Sequence, residues 1–330
     1  MKSEILCDII KDDCEKTLKT NFSEKIHLTF LDPPFNQGKE YNSHDDNMSE
    51  NDYWSWLTRV CKLIYDKTVD DGAIYFMQRE KNAGSVIRTL VESGWTFQNL
   101  IIWRKRSAAV PSSIRYAKHY QIIAYATKGA KPRVFNKLRI DPPYASRVHP
   151  GQPVFEYKAG YRRKHGMALT DVWDDLRELT SGFFSGEEPL RHIVPQIFPK
   201  CKKCNKENFT IHVRERAHKQ QSPIALLTRI ILSSTKIGDL VFDPFAGTGT
   251  TSVVARQLKR QSVSVELDSK NVELIHKRIK LDRAIDDIEK LRDVYHLFTT
   301  KQHGSNVDLE EIWEKKAPKN IKVKNSSKLK

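Results

Sequence analysis

Leu240-Val241-Phe242-Asp243-Pro244-Phe245-Ala246-Gly247-Thr248-Gly249-Thr250-Thr251 is the stretch that decides the fold. Leu240–Phe242 reads as a short buried strand closed by an acid. The small residues behind it let backbone approach a ligand closely. Ser252 to Leu258 continues as a helix, and Ser262–Val265 as a second strand ending in Glu266, with Asp268 close behind. Strand, glycine-rich turn, helix, strand and acid make a nucleotide-type βαβ unit. An acid closing the second strand can hold ribose hydroxyls. A P-loop needs Gly-Lys-Ser/Thr, and no lysine follows Gly249. A dinucleotide fingerprint wants a third glycine, where Ser252 stands. A purely structural turn leaves Asp243 and Phe245 unexplained. An adenosyl ligand without phosphates fits best, with a cationic sulfonium and amine near Asp243, ribose on Glu266 and adenine against apolar walls. The candidate cofactor residues are Asp243, Pro244, Phe245, Ala246, Gly247, Thr248, Gly249, Thr250 and Glu266.

Some two hundred residues upstream, Asp32-Pro33-Pro34-Phe35 follows an apolar run, Ile26–Leu31. The prolines remove two backbone donors and fix φ, so the chain leaves the sheet stiffly. Uncommitted carbonyls beside a carboxylate, with a flat ring adjacent, suit an exocyclic amino group on a planar base. Alone, Asp-Pro reads first as a strand-terminating turn; the downstream unit changes that. A second copy, Asp141-Pro142-Pro143-Tyr144, follows a weakly strand-like segment, Asn136–Ile140. Ligands of α/β sheets bind at strand C-termini, so Asp32 is the preferred site residue and Asp141 a loop residue.

Around these two motifs the chain alternates. Residues 1–21 read as a polar lead-in with a short helix near Cys14–Leu18. Helices are expected over Asp52–Val69 and Asn82–Glu92, strands over Ala73–Met77, Trp95–Trp103 and Tyr120–Thr127. Asp70-Asp71-Gly72 reads as a stop. Alternation argues a parallel α/β sheet, and the two final strands an antiparallel hairpin at its edge. Ser222-Pro223 opens a helix running to about Ser234, with Ser as cap and Pro in the first position.

Between Arg104 and Lys164, fifteen basic residues face only Asp141 and Glu156, with tyrosines interleaved. That pattern marks a nucleic-acid contact. The candidate DNA-binding residues are Arg104, Lys105, Arg106, Arg115, Lys118, Arg139, Arg162, Arg163 and Lys164. The net charge of +15 points the same way, towards a polyanionic partner. No apolar run approaches the ~18–20 residues of a membrane span. The N-terminus lacks the apolar core of a signal peptide. Five scattered cysteines fit a reducing cytoplasm. Cys201 and Cys204 have zinc spacing, but His212 and His218 complete it poorly, so no metal is expected. Past Lys315 the tail carries lysines without acids and reads as disordered.

Asp-Pro-Pro-Phe together with Asp-Pro-Phe-Ala-Gly-Thr-Gly-Thr-Thr resembles the amino-group DNA methyltransferases. Leu100–Lys105, Asp171–Asp174 and Gly238–Asp243 match further. The order, target motif first, then a basic insert, then the cofactor loop, is similar to the β-class. That resemblance implies a circularly permuted Rossmann-like α/β methyltransferase sheet carrying a target-recognition insert. It implies four parts: 1–135 with the target-amine motif, 136–215 as insert, 216–290 as cofactor half, and 291–330 as extension. It further implies S-adenosylmethionine as cofactor and double-stranded DNA as substrate, in a prokaryotic cytoplasm at the nucleoid. A cognate restriction endonuclease and a homodimer are compatible with it. The implied reaction is methyl transfer to the N6 amine of a flipped adenine, with N4 of cytosine as the alternative. Asp32 and the Pro33 carbonyl would hold the amine, with Pro34 stiffening the turn and Phe35 stacking on the base. Cytosine C5 chemistry is excluded, because no Pro-Cys pair occurs. A DNA-binding module with degenerate sites is the reading from a different class. The family pattern Thr-x-Lys-Pro departs here: Ser222 stands at the lysine position, with Lys219 as a candidate substitute.

Overall fold

Cys7–Lys11 (β1) and Cys14–Thr20 (α1) open the chain, followed by Ile26–Leu31 (β2), Glu50–Lys67 (α2), Thr68–Arg79 (β3) and Ala83–Glu92 (α3). Next come Thr96–Arg104 (β4), Tyr120–Thr127 (β5), Leu138–Ile140 (β6), Met167–Ala168 (β7), Val172–Trp173 (β8), Arg191–Lys200 (β9) and Glu207–Arg216 (β10). Ile224–Ser234 (α4), Leu240–Asp243 (β11), Thr250–Gln257 (α5), Gln261–Glu266 (β12), Ser269–Leu281 (α6) and Tyr295–Leu297 (β13) complete it. The computed structural model describes residues 5–20, 22–38, 47–105, 113–140, 167–179, 188–200, 207–216, 221–297 and 312–313.

Eight strands form the main sheet in the order β1-β12-β11-β2-β3-β5-β4-β8. β1, β12, β11, β2 and β3 are mutually parallel. β5 runs antiparallel between β3 and β4. The central strands are continuous apolar runs because both faces are covered. Within β3 the pleat divides them: Ala73, Tyr75 and Met77 join the cluster under α4 and α5, while Ile74 and Phe76 join that under α1, α2 and α3.

The topology places the cofactor half inside the other half. β11 and β12 are late in the chain, yet they slot between β1 and β2. From β11 the chain proceeds to β12 on one side; from β2 it proceeds to β3 on the other. The strand order therefore reverses between β2 and β11, and a crevice opens at their carboxyl ends.

Several expectations are corrected. The lead-in contains a strand, β1, parallel to β12 at the sheet edge. The Asp70-Asp71-Gly72 stop lies inside β3, at a register shift where Ile26 faces Thr68 but Leu28 faces Ala73. A Cβ on Gly72 would approach Thr68 Cγ2 to 2.5 Å, so this irregularity needs glycine. The hairpin of β4 and β5 is not the edge, because β8 pairs beyond β4 and sets Trp173 beside Trp103. Past the expected helices and strands, β9 pairs with β10 in a long antiparallel ladder.

Candidate active site

Asp243 ends β11 and is 3% exposed. Its Oδ1 accepts the Phe245 N–H at 3.1 Å and its Oδ2 accepts the Thr251 hydroxyl at 2.5 Å. Burial pushes its carboxyl up to about 6, against the pull of those two bonds. The acid thus ties both ends of the turn. Gly247 and Gly249 take φ of +53° and +71°, which L side chains adopt only with strain. A Cβ on Gly249 would also lie 2.6 Å from Ile275 Cγ2 in α6.

Two further groups brace the turn. Glu266, at the end of β12, accepts the Gly247 N–H at 2.7 Å and the Asp268 N–H at 2.9 Å. Arg278, from α6 and fully buried, donates to the Thr248 carbonyl at 3.0 Å and to Thr250 Oγ1 at 2.9 Å. It is itself held by two 2.9 Å bonds to buried Asp286. Arg278 and Asp286 escaped the sequence reading, since neither stands near a motif.

Across the crevice, Asp32, Pro33 and Pro34 line the same cavity as Asp243, Pro244, Phe245, Ala246, Gly247, Thr248, Thr250 and Glu266. The Ser222 hydroxyl donates to Asp32 Oδ2 at 3.1 Å. Ser222 is therefore not the helix cap expected of it. Pro223 takes the cap position without a side-chain bond, and Glu188 Oε1 accepts the Ile224 N–H at 2.7 Å instead. The Pro34 carbonyl accepts the Tyr53 hydroxyl at 2.6 Å, and Gln78 donates to that same hydroxyl at 2.8 Å. The stiffness of the motif is thus shared with α2 and β3, and one of its carbonyls is committed.

Phe35 departs from expectation. It is 3% exposed and packs into the core cluster that includes Trp103 and Trp173, rather than lining the cavity. The aromatic wall is instead Trp56 of α2, in edge contact with Phe245 at 5.6 Å. The cavity also takes in Asp12, Asp13 and Cys14, which follow β1. Only the Cys7/Ile9 alternation ahead of that acid pair could have disclosed them.

The basic residues divide. Arg104, Lys105, Arg115 and Lys118 belong to the β4–β5 connection and its ends. Burial pulls the Lys105 ammonium below its ordinary value, with the charges of Glu178, Glu80 and Asp32 opposing. Lys118 pairs with Glu80 just after β3. Arg139 lies elsewhere, on the small sheet β13-β6-β7, beside a separate cleft with Tyr125 and Phe135. Arg106, Arg162, Arg163, Lys164, Lys219 and the Asp141–Tyr144 copy fall outside the described residues. So do Cys201, Cys204 and His218; His212 faces Pro195 in the β9–β10 ladder. Among the described residues no His, Cys, Asp and Glu group could hold a metal, and no helix is long and apolar enough to cross a membrane.

A sequence model of the N6/N4-type DNA methylases matches residues 26–277, three quarters of the chain and both walls of the crevice. The chain belongs to this family. The type II methyltransferase M.BamHI of Bacillus amyloliquefaciens is 29% identical over 81% of this chain, which spans only 56% of that relative. DNA adenine methyltransferase YhdJ of Escherichia coli (strain K12) is 27% identical over 82% of each chain. The solved PvuII DNA methyltransferase (cytosine-N4-specific) shares the fold, with a TM-score of 0.54 at 19% identity over 88% of this chain and 94% of that one.

S-adenosylmethionine is the cofactor of this DNA methylase. The residues present fit it. Glu266 accepts the Gly247 and Asp268 N–H groups and, at 3.3 Å, the Asn271 amide, and keeps acceptor capacity at the cavity for a ribose hydroxyl; the crevice supplies carboxylates rather than cations. That donor set matches a cationic, phosphate-free adenosyl group.

Proposed function

We propose that the chain moves a methyl group from S-adenosylmethionine to the N6 amine of adenine in double-stranded DNA, within a specific recognition sequence. The observation that carries this is one cavity lined by both Asp32 and the Asp243–Thr250 turn at the β2/β11 reversal. S-adenosylmethionine supplies an electrophilic methyl. The protein's part is to present the amine. Asp32 and the Pro33 carbonyl accept its two N–H bonds, drawing the nitrogen towards sp³ and aiming its lone pair along the line of displacement. Ser222 holds Asp32 in rotamer, and Tyr53 holds the turn through Pro34. No covalent attachment to the protein is needed. An amine buried in a duplex is out of reach, so the base leaves the stack.

Adenine is favoured over cytosine because an acid, Asp32, stands where cytosine-N4 members of the family more often carry serine. A relative named as a DNA adenine methyltransferase aligns over most of both chains. N4 of cytosine is the second reading. Residues 1–135 and 216–290 are the two halves of the methylating core, residues 136–215 the target-recognition insert and 291–330 the extension. Insert and extension both meet the core: β8 pairs with β4, the Arg229 guanidinium of α4 lies over the Tyr295 ring at 5.6 Å, and Arg260 donates to the Ile312 carbonyl. As in type II systems, a restriction endonuclease reading the same sequence would be the partner.

The test is to incubate the protein with unmethylated DNA and labelled cofactor, then hydrolyse to nucleosides. N6-methyladenine is the expected product. N4-methylcytosine alone overturns the adenine reading, and no labelled nucleoside despite cofactor binding leaves a DNA-binding module.

A further inference from the structure

We infer that Ile114 and Tyr116 form a wedge that enters the DNA base stack beside the target pair and holds the space the flipped base leaves. The inference rests on the DNA-methylating reading above. Tyr116 is 98% exposed and Ile114 88% exposed, more than any other large apolar side chain among the described residues. Scattered exposed apolar residues are ordinary. These two stand one residue apart, with Arg115 between them, on one short segment.

The segment is anchored at the target wall. It belongs to the connection from β4 to β5, whose base is closed by the Arg104–Tyr120 pairing and by the Lys105 N–H donating to the His119 carbonyl at 2.8 Å. Lys118 pairs with Glu80, directly after β3. That strand carries Gln78, whose bond to Tyr53 leads to the Pro34 carbonyl. β5 begins beside the carboxyl end of β3, the same end of the sheet at which Asp32 follows β2. The exposed pair thus projects from the edge that presents Asp32.

Charge selects the occupant. Arg104, Arg115 and Lys118 share the connection and its ends with the pair, and Arg79 pairs with Gln121 at its foot, which suits a phosphate backbone on either side of an apolar insertion. Architectural DNA-binding proteins use the same chemistry, an apolar or aromatic side chain between base steps with cations flanking it. An anionic membrane shares the cationic part but offers no reason for the pair to stand beside Asp32.

The experiment compares two duplexes carrying the target position mapped from the reaction products. One is fully paired; the other has an abasic site opposite the target, so flipping is already favoured. Ile114→Ala/Tyr116→Ala is expected to lower kcat/KM on the paired duplex by about 10- to 100-fold, and by no more than about 2-fold on the abasic one. Tyr116→Phe, which keeps the ring, should restore the paired rate. A 2-aminopurine at the target should brighten with the wild type and stay dark with the double variant. Cofactor affinity and Tm, measured alongside, should not move. Equal losses on both duplexes, or none on either, overturn the wedge. If the wild type methylates neither duplex, the DNA-methylating reading itself falls; if it methylates both and the double variant matches it, only the wedge falls.

Discussion

The crevice has two walls built in different ways. The cofactor wall is one contiguous unit, β11, the turn, α5 and β12, and most of its bonds close within it: Asp243 to Phe245 and Thr251, Glu266 to Gly247 and Asp268. The target wall is assembled from distant segments. Asp32 follows β2, its bonding partner Ser222 precedes α4, and the support for Pro34 comes from Tyr53 in α2 and Gln78 in β3. On the function proposed above, the first wall binds and the second presents a base. Variants on each should fail differently, and that is how the division is tested.

The largest effect belongs to Asp32. If Asp32 is the acceptor proposed for the amine, Asp32→Ala should lower turnover by roughly a thousand-fold or more. Calorimetry should find cofactor affinity within a few-fold of wild type, because the wall that binds it is intact. Retained turnover would move the role to Asp141; lost cofactor binding would mean the walls are not separable.

Arg278 sharpens the other side. Removing it leaves Asp286 buried without its strongest partner, which costs about 3–5 kcal/mol, so Arg278→Met alone confounds folding with binding. Arg278→Met/Asp286→Leu removes both charges and should recover most of the stability. The turn bonds to Thr248 and Thr250 remain lost, so cofactor Kd should stay raised by about 10-fold, in keeping with roughly 1.4 kcal/mol. Kd returning to the wild-type value would reduce Arg278 to a packing element.

What was legible follows the same division. The turn, its glycines and Glu266 could be read because they lie within 24 residues of one another and the chemistry demands small residues there. Asp32 could be read once the turn was. Arg278, Asp12 and Asp13 could not, because they reach the site through α6 packing and through β1 slotting against β12. The β9–β10 hairpin was hidden by Pro195 and Pro199, which argue against strand except at an edge. Phe35 shows the opposite failure: a motif aromatic was assigned to the ligand, while the fold buried it and turned Trp56 to the cavity.

Asp243 gives a smaller, graded effect. Its carboxyl titrates near 3.8 when exposed and about 6 in the fold. Between those values the folded state holds a proton the unfolded chain has lost. This contribution is therefore greatest at acid pH and fades as pH rises through 6, by up to about 3 kcal/mol. Cofactor binding runs the other way, since a cation favours the ionised acid. Kd should tighten by up to about 10-fold from pH 5 to 7, and Asp243→Asn should flatten the profile. A flat wild-type profile would detach Asp243 from the cation.

The smallest effect decides the most about the two walls. Ser222 stands where the family pattern has lysine, a position that would place it with the cofactor. The geometry assigns it to the target, through the hydroxyl bond to Asp32 Oδ2. A bond to a carboxylate is worth about 1.5–3 kcal/mol in full, and the other interactions Asp32 keeps offset part of its loss, so Ser222→Ala should lower kcat by about 5-fold. Cofactor KM should not move, and Ser222→Thr, which keeps the hydroxyl, should restore the rate. If KM for the cofactor rises while kcat holds, Ser222 serves the binding wall after all, and the target wall loses its link to the segment before α4.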